Sequence, residues 1–341
     1  MTAFIVLLQQ LASDINKLRR EYNYLGAIAG GDDYDYFVGD RSQEEFRRWL
    51  SPPDPSINHN IAWKAHHKGS AEWFIHGNTY RQWKMSTGSL LWIHGKRMYI
   101  PFFLTHFPNE EPILQQDPER AFFRMHRFTF SLLKRLTSSI SSTIIEDCNG
   151  VRKAGLARMG FFFFDFKDQS KQNVRGALSS LLIQLAAQSD AYCESLSALY
   201  SEYDAGSRQP SEYALRECLE NILMLQNQGP IFIIIDAIDE CPNNTDTPSP
   251  RENVLELVEW LSELQYSHVS ICVTSRPEAD IEAVLQPLAS HTVSVHGESG
   301  QKEDIINFIT WFMDSDPKAR KWRKEDKELV VKKLSERADG M

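Results

Sequence analysis

The first regularity along the chain is an apolar stripe whose steps alternate between four and three residues. It comprises Phe4, Leu8, Leu11, Ile15, Leu18, Tyr22 and Leu25. That spacing is a heptad pattern and predicts an amphipathic helix over residues 1–29. Its apolar face suits either packing on a helical bundle or self-association. Gly30, Gly31, Asp32 and Asp33 break the pattern and open a polar linker and connector over 30–68. Within it Phe46–Leu50 reads as a short helix, stopped by Pro52 and Pro53.

From residue 89 onward, short apolar runs alternate with amphipathic ones. Ser89–Ile93, Gly160–Phe166, Ile231–Asp236, Val269–Thr274 and His291–Val295 read as strands. Phe161–Phe164, Ile231–Ile235 and Ile271–Val273 are apolar at every position instead of every second one. Strands apolar on both faces belong to parallel sheets covered by helices on each side. The intervening segments supply the helices: Val174–Gln188, Ser211–Gln226, Val254–Leu264 and Ala279–Leu285. Asp304–Phe312 and Lys324–Ala338 close the chain as further amphipathic helices. The pattern predicts an α/β fold with a doubly wound, mostly parallel sheet, an N-terminal helix and a C-terminal helical extension.

Composition narrows the function classes. A net charge of −9 argues against non-specific nucleic-acid binding. No apolar run reaches membrane-spanning length, and the apolar stretch Phe4–Leu8 lacks the flanks of a secretory leader. The five cysteines are scattered and form no C-x-x-C pair, which suits a reducing, cytoplasmic setting. His59, His66, His67 and His76 lie close in sequence but in no metal-ligand spacing such as H-E-x-x-H.

Two stretches carry candidate chemistry. In IFIIIDAIDEC (Ile231–Cys241) a fully apolar strand ends in Asp236, and Asp239 and Glu240 follow at once. Ligands of open α/β sheets sit beyond the carboxyl ends of strands. A carboxylate there can hold Mg²⁺ partly through water, and a second one can orient an attacking water. The same acids also suit a helix start, where they face the positive end of the dipole. In CVTSRPE (Cys272–Glu278) a second apolar strand leads to Arg276. A guanidinium at that rim can read a terminal phosphate by paired hydrogen bonds; it also suits a surface position before a proline turn.

With these pieces the chain resembles the fungal NACHT proteins, signal-transduction NTPases of the STAND class, specifically the nephrocystin 3-like N-terminal domain. The resemblance rests on RRWLSPPDPSINHN (Arg47–Asn60), GSAEWFIHG (Gly69–Gly77), GSLLWIHGK (Gly88–Lys96), SSTIIEDC (Ser141–Cys148), FFFFDFKD (Phe161–Asp168), SSLLIQLAAQ (Ser179–Gln188), IIIDAIDECP (Ile233–Pro242), VTSRPE (Val273–Glu278) and SGQKEDI (Ser299–Ile305). It implies a P-loop NTPase domain over 69–290. Residues 291–341 would hold a last strand and the start of a truncated helical subdomain, with sensor repeats expected beyond. It implies Asp236 as the magnesium ligand, Asp239 and Glu240 as the catalytic carboxylates, and Gly95, Lys96 and Arg276 as nucleotide contacts. The cofactor would be Mg²⁺ with ATP or GTP.

The chain departs from that pattern after Gly95 and Lys96. The phosphate-binding signature G-x-x-x-x-G-K-[ST] is expected there and occurs nowhere in the sequence. Residues 97–140 stand in its place and hold seven of the nineteen phenylalanines and four prolines. The composition of this insertion points to a retained intron or a misplaced splice junction, which sequencing the transcript across codons 96–141 tests. Such a loop binds phosphates through successive backbone N–H groups, a helix N-terminus and a lysine. At about 1.5–3 kcal/mol per hydrogen bond to a charged group, losing three or four removes roughly 5–10 kcal/mol. The expectation is a nucleotide-dependent signalling switch impaired in binding, with nucleotide as partner and self-association through the N-terminal helix. The alternative is a non-catalytic scaffold or decoy that keeps the fold. A metal-dependent nuclease built on Asp236, Asp239 and Glu240 fits the acidic balance poorly.

Overall fold

The computed structural model describes residues 34–65, 72–86, 88–95, 140–225, 229–244 and 248–295, with a few single positions beyond. The heptad stripe over 1–29, almost all of the 97–140 insertion and the helices expected after residue 300 lie outside the described residues. In chain order the helices are α1 (Tyr34–Leu50), α2 (Ser56–Ala65), α3 (Glu72–His76), α4 (Asn78–Met85), α5 (residues 140–153), α6 (Val174–Ala186), α7 (Asp190–Glu202), α8 (Glu212–Met224), α9 (Pro250–Glu263) and α10 (Ala279–Leu288). The strands are β1 (Leu90–His94), β2 (Arg158–Phe163), β3 (Ile231–Asp236), β4 (Val269–Ser275) and β5 (His291–Ser294).

The five strands form one sheet in the order β2-β3-β4-β1-β5. The pairs β2–β3, β3–β4 and β1–β5 are parallel. Every residue of β3 and β4 is buried, which accounts for their unbroken apolar runs. Each isoleucine side chain so buried contributes about 1.5–3 kcal/mol relative to leaving it in water. All five strands sit where the apolar runs placed them, and the sheet is parallel as expected.

The helices differ more from expectation. The segment read as a linker with one short helix contains α1, 17 residues long, and α2. Helix α1 is held by contacts remote in sequence. Phe46 and Trp49 both meet Tyr200 of α7 edge-on, with ring centroids 5.2 Å apart in each case. The Trp49 indole N–H donates to the Arg208 carbonyl at 2.7 Å, and the Gln209 amide donates to the Trp49 carbonyl at 2.7 Å. Tertiary packing of this kind stabilises a helix that a sequence pattern opened by two glycines and two aspartates does not announce.

The chain divides into two compact units. One holds Met1–Pro55, Ser86–Leu90 and Ile145–Val273; the other holds Ser56–Met85, Leu91–Ile144 and Thr274–Met341. In the first unit α6 packs on β2. Residues 177–178 and 181–182 of α6 are fully buried, and the Asn173 side chain caps its start by accepting from the Gly176 N–H at 2.8 Å. Gly160 lets the helix approach, since a Cβ there would lie 2.9 Å from Leu181 Cδ2. Strand β2 is an edge, and α6 closes it with side-chain amides. Gln184 accepts from the Phe161 N–H at 3.1 Å and donates to the Phe161 carbonyl at 2.8 Å. Gln188 repeats the arrangement on Met159 at 3.0 and 2.6 Å. Backbone groups that a further strand would use are thereby satisfied within the chain.

In the second unit β5 pairs with β1, Leu91 opposite His291 through His94 opposite Ser294. The buried Trp92 indole N–H donates to the Ser275 hydroxyl at 2.9 Å, fixing the end of β4 to β1.

Candidate functional site

Strand β3 ends at Asp236, which is 2% exposed. The residue after it, Ala237, is left-handed at φ 60°. That conformation costs an L-residue about 1–2 kcal/mol, so the turn is imposed by its surroundings. A single 3₁₀ turn, Ile238–Glu240, follows and holds Asp239 and Glu240 half-buried. Ile238 is fully buried and anchors the turn in the core.

The loop after the turn is fixed from two sides. On one side stands α9, whose start is a complete capping box. Glu252 N–H donates to the Ser249 hydroxyl at 3.2 Å, Ser249 N–H donates to the Glu252 carboxylate at 2.6 Å, and Pro250 takes the first helical position. Arg251 in this first turn is 6% exposed and reaches back over the loop. Its Nε donates to the Cys241 carbonyl at 3.0 Å and its Nη2 to the Asp239 carbonyl at 2.7 Å. On the other side stands the segment after β2. Phe166 N–H donates to the Glu240 carboxylate at 3.3 Å, and the Cys241 thiol lies 2.9 Å from the Gln172 carbonyl and donates to it. Burial pushes the Cys241 thiol up to about 12, against the pull of the Arg251 guanidinium. The thiol is therefore a structural donor and not a reactive thiolate.

The segment after β2 is itself rigid. Asp168 caps a 3₁₀ turn (Gln169–Lys171), accepting from the Ser170 N–H at 3.0 Å. Asp165 accepts from the Lys167 N–H at 3.0 Å. Gly176 is obligatory here, because a Cβ would run into the Ser170 carbonyl. Phe166 is 50% exposed, with the Lys167 ammonium 5.5 Å from its ring centre.

Behind the loop, burial pushes the Cys272 thiol of β4 well above its ordinary range, and the nearby charges of Cys148 and Asp236 add to it. Strand β4 is the neighbour of β3, paired from Ile231 opposite Val269 to Ile235 opposite Val273. Asp236 thus ends its strand one step beyond the last of these pairs.

The sheet order also marks a switch in chain direction. From β1 the chain crosses to β2 at one end of the sheet; from β4 it crosses to β5 at the other. Gly95, buried, follows β1 directly, and Arg276, half-buried, follows β4. Lys96 lies outside the described residues. Asp236, Asp239 and Glu240 therefore share one loop of the first unit, while Gly95 and Arg276 belong to the second.

Among the described residues, no group of three or more histidine, cysteine, aspartate or glutamate side chains is arranged to hold a metal ion. A magnesium ion held by one carboxylate, with water and phosphate as its other ligands, needs no such group. Asp236 is one such carboxylate, placed at a strand end and 2% exposed. No described helix is long and apolar enough to cross a membrane.

Residues 137–276 match the family model described as Nephrocystin 3, N-terminal. The nephrocystin 3-like segment covers less than half of the chain. It takes in β2, β3 and β4 and contains Asp236, Asp239, Glu240 and Arg276. Gly95 and Lys96 precede it, as does nearly all of the insertion. No curated protein matches the chain.

Sequence reasoning missed Arg251, the Phe166 N–H and the Gln172 carbonyl. The S-x-x-E box at Ser249–Glu252 was readable as a helix start, but nothing in the sequence shows that the arginine inside it turns back onto residues 239–241. The other two contacts are backbone groups, which carry no side-chain signature at all.

Proposed function

We propose that this chain is a NACHT/STAND-type nucleotide-dependent switch in which the magnesium half of the site is kept and the phosphate-cradling half is lost. The reading is carried by one observation: a buried carboxylate, Asp236, ends a fully buried parallel strand, and the loop after it holds Asp239 and Glu240 in fixed positions. The nephrocystin 3-like match over this same segment supports it. In this reading Asp236 would hold Mg²⁺, which would supply charge neutralisation for a bound triphosphate. Asp239 and Glu240 order water at the same rim. Gly95, Lys96 and Arg276 are the nucleotide contacts that the resemblance implies, here without the loop that would complete the cradle.

Without G-x-x-x-x-G-K-[ST], affinity falls by roughly 5–10 kcal/mol, which moves a micromolar site to about millimolar or weaker. Titration of ATP–Mg²⁺ and GTP–Mg²⁺ into the purified chain tests this. The expected result is binding weaker than about 10 μM that disappears in Asp236→Asn. Tight binding, or binding indifferent to Asp236→Asn, would overturn the reading. The missing loop also favours a second reading, a non-catalytic scaffold that uses the fold alone; it gains if no metal-dependent binding appears at any concentration.

A further inference from the structure

We propose that Arg251 is a positioning residue for the carboxylate loop, a role that rests on the metal–nucleotide reading above. Two donors of its side chain, on Nε and Nη2, reach outside its own helix. They go to the carbonyls of Asp239 and Cys241, the two residues that flank Glu240. Its backbone N–H donates to the Pro242 carbonyl at 3.1 Å. One residue thus holds three of the four carbonyls from 239 to 242.

The physical cost of this arrangement is what makes it informative. A guanidinium only 6% exposed has lost most of its water, and burying a charge is costly. An apolar side chain of similar length would fill the same volume without that penalty. What an apolar chain cannot do is span two carbonyls two residues apart with a planar fork. That geometry fixes the 239–240 peptide plane, which leads into Glu240, and the 241–242 plane one residue beyond it. Its carboxylate is then caught from the opposite direction by the Phe166 N–H at 3.3 Å. With both contacts in place, the half-buried Glu240 carboxylate keeps one direction, and the Asp239 backbone beside it is held. Loosening the fork leaves Asp236, which ends β3, where it is, but frees the two acids after it.

The test uses the full chain and Mn²⁺–ATP as probe, read by water-proton relaxation, for wild type, Arg251→Met, Arg251→Lys, Ser249→Ala and Asp236→Asn. Binding of ATP without metal is measured in parallel. Ser249→Ala weakens the start of the same helix without touching the 239–241 carbonyls, so it controls for general destabilisation. Arg251→Met is expected to weaken metal-dependent binding at least tenfold, and Arg251→Lys about threefold, since an ammonium is a point donor and not a fork. Metal-free ATP binding and the Ser249→Ala variant should stay at the wild-type level. If Arg251→Met binds Mn²⁺–ATP as wild type does while Asp236→Asn does not, the positioning role is wrong and the metal reading stands. Equal weakening in Arg251→Met and Ser249→Ala would reduce Arg251 to a fold-stabilising residue and overturn the proposal. If wild type shows no metal-dependent binding, or Asp236→Asn has no effect, the metal reading falls and takes the role of Arg251 with it. Should Arg251→Met fail to fold, the comparison of Arg251→Lys with Ser249→Ala decides the same question.

Discussion

The exits of β3 and β1 make an instructive contrast. After β3 the chain makes a left-handed turn at Ala237 and a 3₁₀ turn, and it is then bonded by Arg251 from one side and by Phe166 and Gln172 from the other. After β1 the chain runs Gly95-Lys96-Arg97, and no G-x-x-x-x-G-K-[ST] follows. The strands themselves are equally well buried, since Leu90–Ile93 are as enclosed as Ile231–Ile235. A parallel sheet therefore preserves its strands for reasons of core packing, whatever happens at their ends. The rim chemistry depends on loops, and each loop stands or falls separately.

The strongest way to break the contrast is to rebuild the missing loop. Replacing residues 97–140 with a G-x-x-x-x-G-K-[ST] loop should raise ATP–Mg²⁺ affinity by about a thousandfold or more, since three or four hydrogen bonds to charged oxygens at about 1.5–3 kcal/mol each are regained. Calorimetric titration of both forms measures it. No gain in the rebuilt chain would mean that β1 does not end at a phosphate site.

A second test attacks the ordered rim from the side of β2. Gly176→Ala drives a Cβ into the Ser170 carbonyl and must displace the turn that carries Gln172, the acceptor of the Cys241 thiol. The expected cost is about 2–4 kcal/mol, the range of a backbone clash with no flexible neighbour to yield. Urea unfolding of the variant checks it. A loss under about 0.5 kcal/mol would show that the segment after β2 is softer than its hydrogen bonds imply.

The smallest effect concerns pH. Burial raises the Cys241 thiol to about 12 in the folded chain. In the unfolded chain the thiol ionises near its ordinary value of about 8.5. The folded state therefore holds this proton more tightly, and the associated stability is complete below about pH 8.5 and declines as pH rises toward 12. Cys241→Ala should flatten the fall of the urea midpoint between pH 8.5 and 11 relative to wild type. Identical slopes would mean that Cys241 is not protected in the native rim.

Much of this molecule can be read from its residues. Ile231–Ile235 and Ile271–Val273 announce themselves because a strand covered on both faces carries apolar residues at successive positions. Asp236 announces itself by ending such a run. Helix α7 does not, because Asp190–Glu202 mixes serine, tyrosine and acids around a narrow apolar face of Tyr192, Leu196 and Leu199. Helix α1 was seen only at its end, Phe46–Leu50, where the aromatic residues that dock it begin.

The sequence alone determined the strands, the class of sheet and the position of the acids at a strand end, because all three follow from local burial pattern. It also determined that no G-x-x-x-x-G-K-[ST] follows β1. Only the tertiary structure decided the strand order, the sealing of the β2 edge by Gln184 and Gln188, and the hold of Arg251 on the carbonyls beside Glu240. Those are partnerships between backbone groups and side chains far apart along the chain, as Trp49 is from Arg208. A backbone carbonyl is the same at every residue, so its partner is chosen by the fold and leaves no mark in the order of amino acids.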